Sequence, residues 1–403
     1  MFIRKKIYLA VSATFVMFSA SAQQEAGRIE YGSFDIIPTF NTSLSYLDNI
    51  TRTTDEDAKI NSWRAVFAPK VVLATQVNNN PVEIGYRIAR GEFLTSTDDD
   101  YTDHFITASG DFELNSRHRL DASALYEDGH EARGTGLSIG TGENLSSPDT
   151  YKSSLIDVNY SYGSLTSDGM LTFSVSRNTL DYDREEESYL IRDRFINKFG
   201  GEFSYRVAPS TFLVFDVAKS YVRYDYQPAD DASRDSDGIR ILVGARWEST
   251  AATTGFAKVG YQEKDFESQD RDNFYGTDWE VGVDWRPLEY TTFRLSTSAD
   301  TRETNGEGNF IRSRNYSASW NHDWYDYLST SAGVTFQDNT YTLSGQDVAE
   351  RNDDFTILSL SADYSARRWL NISVFYEYTD LASNRDTLGY DTNTVGVAFE
   401  VTL

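Results

Sequence analysis

The chain has no cysteine, only four histidines and three methionines. Without cysteine there is no disulfide, no thiolate metal site and no lipid-modified residue at a cleavage point. Basic residues are also scarce: 37 Lys and Arg against 62 Asp and Glu leave a net charge of -25. That balance argues against partners such as nucleic acid or anionic lipid surfaces, which call for basic patches. Long apolar runs are missing too, and the mean hydropathy is -0.50. No segment after the N-terminus is apolar enough for a membrane-spanning helix, which needs roughly twenty such residues.

The N-terminus reads as an export signal. Arg4, Lys5 and Lys6 precede the apolar stretch Ile7 to Phe18 and the small residues Ala20, Ser21 and Ala22, so cleavage is expected before Gln23.

What the chain does have is aromatic residues: 26 Tyr, 24 Phe and 7 Trp, 14% of the total, more than a solvated coil would carry. They recur with a period of two, the period of a strand with one apolar and one polar face. In the clearest segment Tyr275, Thr277, Trp279, Val281, Val283 and Trp285 alternate with Gly276, Asp278, Glu280, Gly282, Asp284 and Arg286. The pattern returns around Trp63–Leu73, Ile106–Leu114, Ile156–Tyr162, Phe293–Ala299, Leu358–Tyr364, Leu370–Tyr378 and Val395–Leu403. Most such segments span about nine to thirteen residues, enough for a tilted strand to cross a bilayer.

Connections alternate in length, as in an outer-membrane barrel with short periplasmic turns and long external loops. Short turns are expected at 77–81, 115–117, 163–169, 208–210, 250–253, 287–290, 325–328 and 366–369. Longer gaps fall near 47–61, 94–103, 127–151, 183–193, 225–237, 266–273, 302–309, 342–353 and 381–391. The expected fold is therefore all-β: a transmembrane, antiparallel, up-and-down barrel of about eighteen strands over residues 34–403, after a signal peptide (1–22) and a short periplasmic segment (23–33). Tyr46, Tyr126, Tyr182, Tyr224, Tyr261, Tyr341 and Tyr378 are expected in an outer aromatic belt, and Trp247, Trp285, Trp324 and Trp369 in an inner one. Pro38 and Pro69 fall inside strands and are expected to bulge or shift the first hairpin. Ile36–Ile37 and Leu190–Ile191 break the alternation.

A barrel of this strand number leaves room for an aqueous channel. The candidate lumen-lining side chains are Arg64, Lys70, Glu83, Arg87, Asp278, Glu280, Asp284, Arg286, Arg294, Asp300, Asp363 and Glu377. Both charge signs occur, which suits hydroxyl-rich solutes better than ions of one sign. The largest loop, Glu127 to Tyr151, could fold inward as a constriction or cap the outside.

Catalytic, cofactor and metal sites are not expected. His104, His118, His130 and His322 have neither the HExxH nor the His-Cys spacing of zinc sites. The string Gly136-Leu137-Ser138-Ile139-Gly140 lies in a long loop, not on the strand-to-helix turn of a nucleophile elbow. Asp98–Asp100 and the 230–238 loop resemble calcium ligands only in composition.

An early strand running from Pro38 and Phe40 into Tyr46-Leu47-Asp48-Asn49, then Asp128-Gly129-His130 to Gly134, and the ending Tyr376-Glu377-Tyr378, Ser383-Asn384, Tyr390, Asn393 and Val395-Gly396 resemble the putative β-barrel porin 2 family. Across the mature chain that resemblance implies an outer-membrane conduit for a secreted polysaccharide. It would work passively with a periplasmic polysaccharide export protein and an inner-membrane system. The final Leu403 departs from the aromatic ending that many such barrels present to the barrel assembly machinery. Uptake of general solutes or sugars, and a surface adhesin or receptor role, are the competing expectations.

Overall fold

A computed structural model describes residues 27–229, 231–250, 252–342 and 350–402. The expected signal peptide and Leu403 lie outside them. The strands are β1 (Ile29–Tyr31), β2 (Phe34–Leu47), β3 (Ser62–Val77), β4 (Asn80–Phe93), β5 (Tyr101–Asn115), β6 (His118–Glu131), β7 (Asp149–Tyr162), β8 (Gly169–Tyr182), β9 (Arg194–Ala208) and β10 (Thr211–Tyr224). They continue as β11 (Ser236–Thr250), β12 (Thr253–Phe266), β13 (Phe274–Leu288), β14 (Thr291–Glu303), β15 (Phe310–Tyr325), β16 (Leu328–Thr342), β17 (Arg351–Arg367), β18 (Leu370–Ser383) and β19 (Tyr390–Thr402).

From β2 onward each strand pairs antiparallel with the next, and β19 returns to β2 through Val395–Tyr46 and Phe399–Thr42. The result is a closed, antiparallel, eighteen-strand barrel, all-β as expected. Closure follows from the solvent: in lipid no backbone N–H or C=O can turn to water, so a sheet can cross only without edges.

Side chains explain which face is outside. On β13, Tyr275 is 56% exposed and Asp278 is wholly buried. Ile84, Leu213, Val243, Val259, Leu295 and Val374 are likewise exposed on the outer face. A soluble protein rarely leaves so much apolar surface uncovered, whereas lipid covers it at no hydrophobic cost.

The barrel strands β2 to β19 run from 13 to 17 residues, longer than the nine to thirteen expected. Part of the surplus lies where hairpins continue into the long loops, as at Glu131–Asp149.

The prolines do not shift the first hairpin. The β2–β3 register runs unbroken from Phe34–Thr75 through Pro38–Val71 and Phe40–Pro69 to Leu47–Ser62. β19 pairs with β2 only as far as Thr39, and β1 takes up the same flank of β2 at Ile36, so Pro38 sits in the interval between them. A residue with no N–H costs nothing where no acceptor faces it. At Pro69 the β3–β4 ladder is interrupted between Phe67–Arg90 and Lys70–Arg87, but its register is kept. Leu190 and Ile191 break the alternation because they are not in a strand: the short helix α1 (Glu187–Leu190) lies in the loop before β9.

The short connections occupy the expected positions. Asn78 and Asn79, with φ of 51° and 66°, form the two-residue turn between β3 and β4 that the twist of a hairpin favours.

Candidate functional site

Alternation along the strands puts all twelve candidate lumen residues on the face opposite the exposed apolar stripe. Asp278 and Glu280 meet on the wall with two cations outside the twelve candidates, Arg240 and Lys258. Arg240 Nε lies 2.5 Å from Asp278 Oδ2 and its Nη2 lies 2.5 Å from Glu280 Oε1. Lys258 Nζ bridges Glu280 at 2.8 Å and Asp216 at 2.9 Å. Arg246–Glu202 at 3.1 Å and Lys264–Glu303 extend this charged arc across β9 to β14. Arg240, Lys258, Asp216, Arg246, Glu202 and Lys264 hold the polar parity of their strands, whereas Glu303 shares the parity of the exposed Leu295 and turns inward only at the end of β14.

Other candidates sit apart from that arc. Arg87 stacks 3.8 Å above the Phe105 ring, and Arg64 lies within electrostatic reach of Glu377. Lys70 is opposite Arg87, and Glu83 is opposite Ser109, in their ladders. Asp284 and Arg294 approach at 3.6 Å. Asp300 neighbours Arg302, Asp363 accepts a hydrogen bond from Ser361 at 3.1 Å, and the Arg286 backbone N–H donates to Ala252 O at 2.6 Å. Paired charges of this kind brace the wall from strand to strand.

The outer mouth is not open. The loop between β6 and β7 lies across it: Arg133 donates from Nε to Asp99 Oδ1 at 2.7 Å, and its carbonyl accepts from Arg52 at 2.9 Å. Farther along, the Gly136 carbonyl accepts from Asn305 Nδ2 at 2.7 Å. Asn305 belongs to the loop between β14 and β15, eight strands round an eighteen-strand ring from β6 and β7, so this bond is nearly a diameter. The partners of the β6–β7 loop, Arg52, Asp99 and Asn305, lie in three other loops of the same end, the arrangement of a cap.

The facing loop, Thr304 to Asn309, gathers further ties. Arg234 donates to Gly306 O at 3.3 Å, and Arg271 to Asn309 Oδ1 at 2.8 Å. Glu307 is held by Arg351 at 2.8 Å and Arg385 at 2.6 Å. Burial pushes its pKa up, but the hydrogen bonds from Arg351 and Arg385 outweigh that and hold the carboxyl below its ordinary value. A second knot joins Glu131 to Arg192 at 3.2 Å and to the Tyr182 hydroxyl at 2.6 Å.

That knot corrects the outer aromatic belt. Tyr46, Tyr126, Tyr261 and Tyr378 have the outward parity of their strands, but Tyr182, Tyr224 and Tyr341 have the inward parity. Tyr182 and Tyr341 are 6% and 3% exposed, and Tyr224 donates to Glu303 at 3.0 Å. Each turns its hydroxyl or ring to an inward charge instead of to lipid headgroups. Of the inner belt, Trp285, Trp324 and Trp369 are exposed and Trp247 is partly so.

The residues weighed for catalysis and metals are bound up elsewhere. Ser138 is 5% exposed and caps its own turn, donating to Thr135 O at 2.8 Å and accepting from the Gly134 N–H at 2.9 Å. The histidines face four different partners: His104 meets Tyr86, His118 meets Tyr160, His130 meets Asp103 and His322 meets Thr291. Asp99 is taken by Arg133 and Asp100 by Arg90. Asp231 of the 230–238 loop pairs with Arg271, and Asp230 lies outside the described residues.

Comparisons fit this geometry. The outer membrane protein opdK of Pseudomonas aeruginosa superposes with a TM-score of 0.50 at 10% identity, over 91% of this chain and 99% of that one. OpdL of the same organism gives 0.49 at 11% identity, over 91% and 99%. At such identity the likeness is one of fold. No curated protein matches the chain in sequence. The model of one family, described as Putative beta-barrel porin 2, matches residues 23–403.

Proposed function

Because the chain belongs to the family described as Putative beta-barrel porin 2 and is an outer-membrane, porin-like barrel channel, we propose that it passes small hydrophilic solutes by diffusion, after export of the precursor and removal of residues 1–22. The observation that carries this reading is the mouth. A lumen with paired charges of both signs lies beneath loops hydrogen-bonded across a diameter, Gly136 to Asn305. Loops so joined can part enough for a sugar-sized solute, while a continuous polymer would hold them apart along its whole passage. The twelve inward residues named above would line that path and exchange hydrogen bonds with a solute without trapping it.

Release of an extracellular polysaccharide with a periplasmic export protein, the function first expected, is the second reading. The same wall of mixed charge supports it, since hydroxyl-rich chains slide over such surfaces. Liposomes containing the purified barrel separate the two. Swelling in isosmotic sugars and sugar acids should fall off steeply with the size of the solute. Absence of swelling, together with loss of released polysaccharide from a deletion strain, would overturn the diffusion reading and restore the export one.

A further inference from the structure

We propose that Arg351 and Arg385 form a carboxylate-binding site at the mouth, that Glu307 occupies it in place of a solute, and that a sugar acid displacing Glu307 releases the cap. This rests on the small-solute reading above and names the class of solute that opens the channel.

The site is built independently of its occupant. Arg351 is 3% exposed and its Nε and Nη2 are held by Asp353 Oδ2 at 2.8 and 2.5 Å. Its guanidinium also lies 4.2 Å from the Tyr341 ring centroid. These contacts leave Nη1 aimed at Glu307 Oε2, 2.8 Å away, whether or not Glu307 is there. Arg385 supplies the second cation at 2.6 Å from Glu307 Oε1, and its side chain is 39% exposed, so it can be reached from outside. Asp353 cancels one positive charge, which leaves the site wanting a single anion. Two guanidiniums on one carboxylate give the charge-assisted bonds that select this group over a neutral hydroxyl.

The present occupant is tethered so that it can leave. Glu307 lies between Gly306 and Gly308, whose φ of 114° and 80° are in the left-handed region that glycine enters without steric cost. Its neighbour Asn305 makes the bond across the mouth to Gly136. Displacing Glu307 therefore removes both ion pairs from the loop that carries the diametral contact and leaves it only the hydrogen bonds from Arg234 and Arg271. A tethered carboxylate competes at an effective concentration on the order of millimolar, so solute at or above that level is needed.

The test uses planar-bilayer conductance of the full-length mature barrel, with galacturonate as probe and galactose as its uncharged match. Wild type should gain conductance several-fold with galacturonate and not with galactose. Glu307→Gln should be open beforehand and indifferent to both. Arg385→Gln, at a more exposed position, should behave in the same way and guards against a folding fault in the first variant. Glu307→Gln with wild-type conductance and response, or equal opening of wild type by galactose, would overturn the proposal while leaving the channel reading intact. A total lack of conductance in every variant would overturn the channel reading and this inference with it.

Discussion

The two ends of the barrel are made by the same strands and could hardly differ more. At the inner end most strands are joined by two residues, as at Asn78–Asn79, and pairs such as Asp284–Arg294 link adjacent strands in partly exposed positions. At the outer end the loops are long: ion pairs such as Arg133–Asp99 and Arg351–Glu307 join each loop to its neighbour, and the Asn305–Gly136 hydrogen bond reaches across the opening. A short turn has no spare chain to reach the axis. Closing power therefore belongs wholly to the end where the chain lengthens, and the inner end can only set the width.

That contrast breaks most visibly if the orientation is reversed. Since the chain is free of cysteine, Asp98→Cys on intact cells should react fully with an impermeant maleimide and Asn79→Cys not at all. Labelling of Asn79→Cys alone would place the long loops in the periplasm.

Next in size is the energetic difference between the ends. Arg133→Ala strands Asp99, 2% exposed, without its cation. Its cost should be about 3 to 5 kcal/mol in denaturant titration. Arg294→Ala removes a pair whose side chains are 48% and 38% exposed, and should cost about 0 to 1 kcal/mol. Equal effects would mean that the cap is not packed as described.

Acid should act on one end only. The Glu307 carboxyl is held below its ordinary value of 4.5, so its attraction to Arg351 and Arg385 is fully present above that value. It is lost as the pH falls through the lower, folded value. Conductance should rise several-fold on acidification through this range, and the rise should vanish in Glu307→Gln. A response of the same size in that variant would assign the acid effect to other groups.

The smallest expected contrast lies between tyrosines. Tyr182→Phe removes the hydroxyl bonded to Glu131 and Arg192, and should cost about 1 to 3 kcal/mol. Tyr261→Phe changes an outward ring that is 43% exposed and should stay within about 0.5 kcal/mol. Reversed values would restore Tyr182 to the outer belt.

Why the strands were legible and the cap was not can be traced through these residues. Strand positions, turns and the inward face follow from a period of two, which every stretch such as Tyr275–Arg286 states locally. The same parity was available for Tyr182, whose strand turns Leu171, Phe173 and Val175 outward, so its inward direction was readable and passed over. Depth on the wall was not readable. Gly282 suggests open lumen, yet a Cβ there would lie 2.7 Å from the Phe256 ring, because that ring crosses from the next strand. Least readable were Asn305 with Gly136 and Arg351 with Glu307. Nothing near either residue names its partner: a loop crossing the mouth brings the first pair together, and the stacking of neighbouring hairpins the second.

Ring closure also orders events in time. β2 is among the first strands to leave the export machinery, and its second neighbour, β19, is the last. Until β19 arrives, a folded β2 would carry a row of free donors and acceptors, the kind of edge that recruits foreign strands. β1, folding back through Tyr31–Phe34 onto the flank that β19 approaches, covers the inner part of that edge from the outset with purely local contacts. Pairing between chain ends is slow because the loop it closes is so long. A three-residue hairpin formed first would shield part of the waiting strand from aggregation and mark where β19 must stop, so that the nascent wall zips from a defined end.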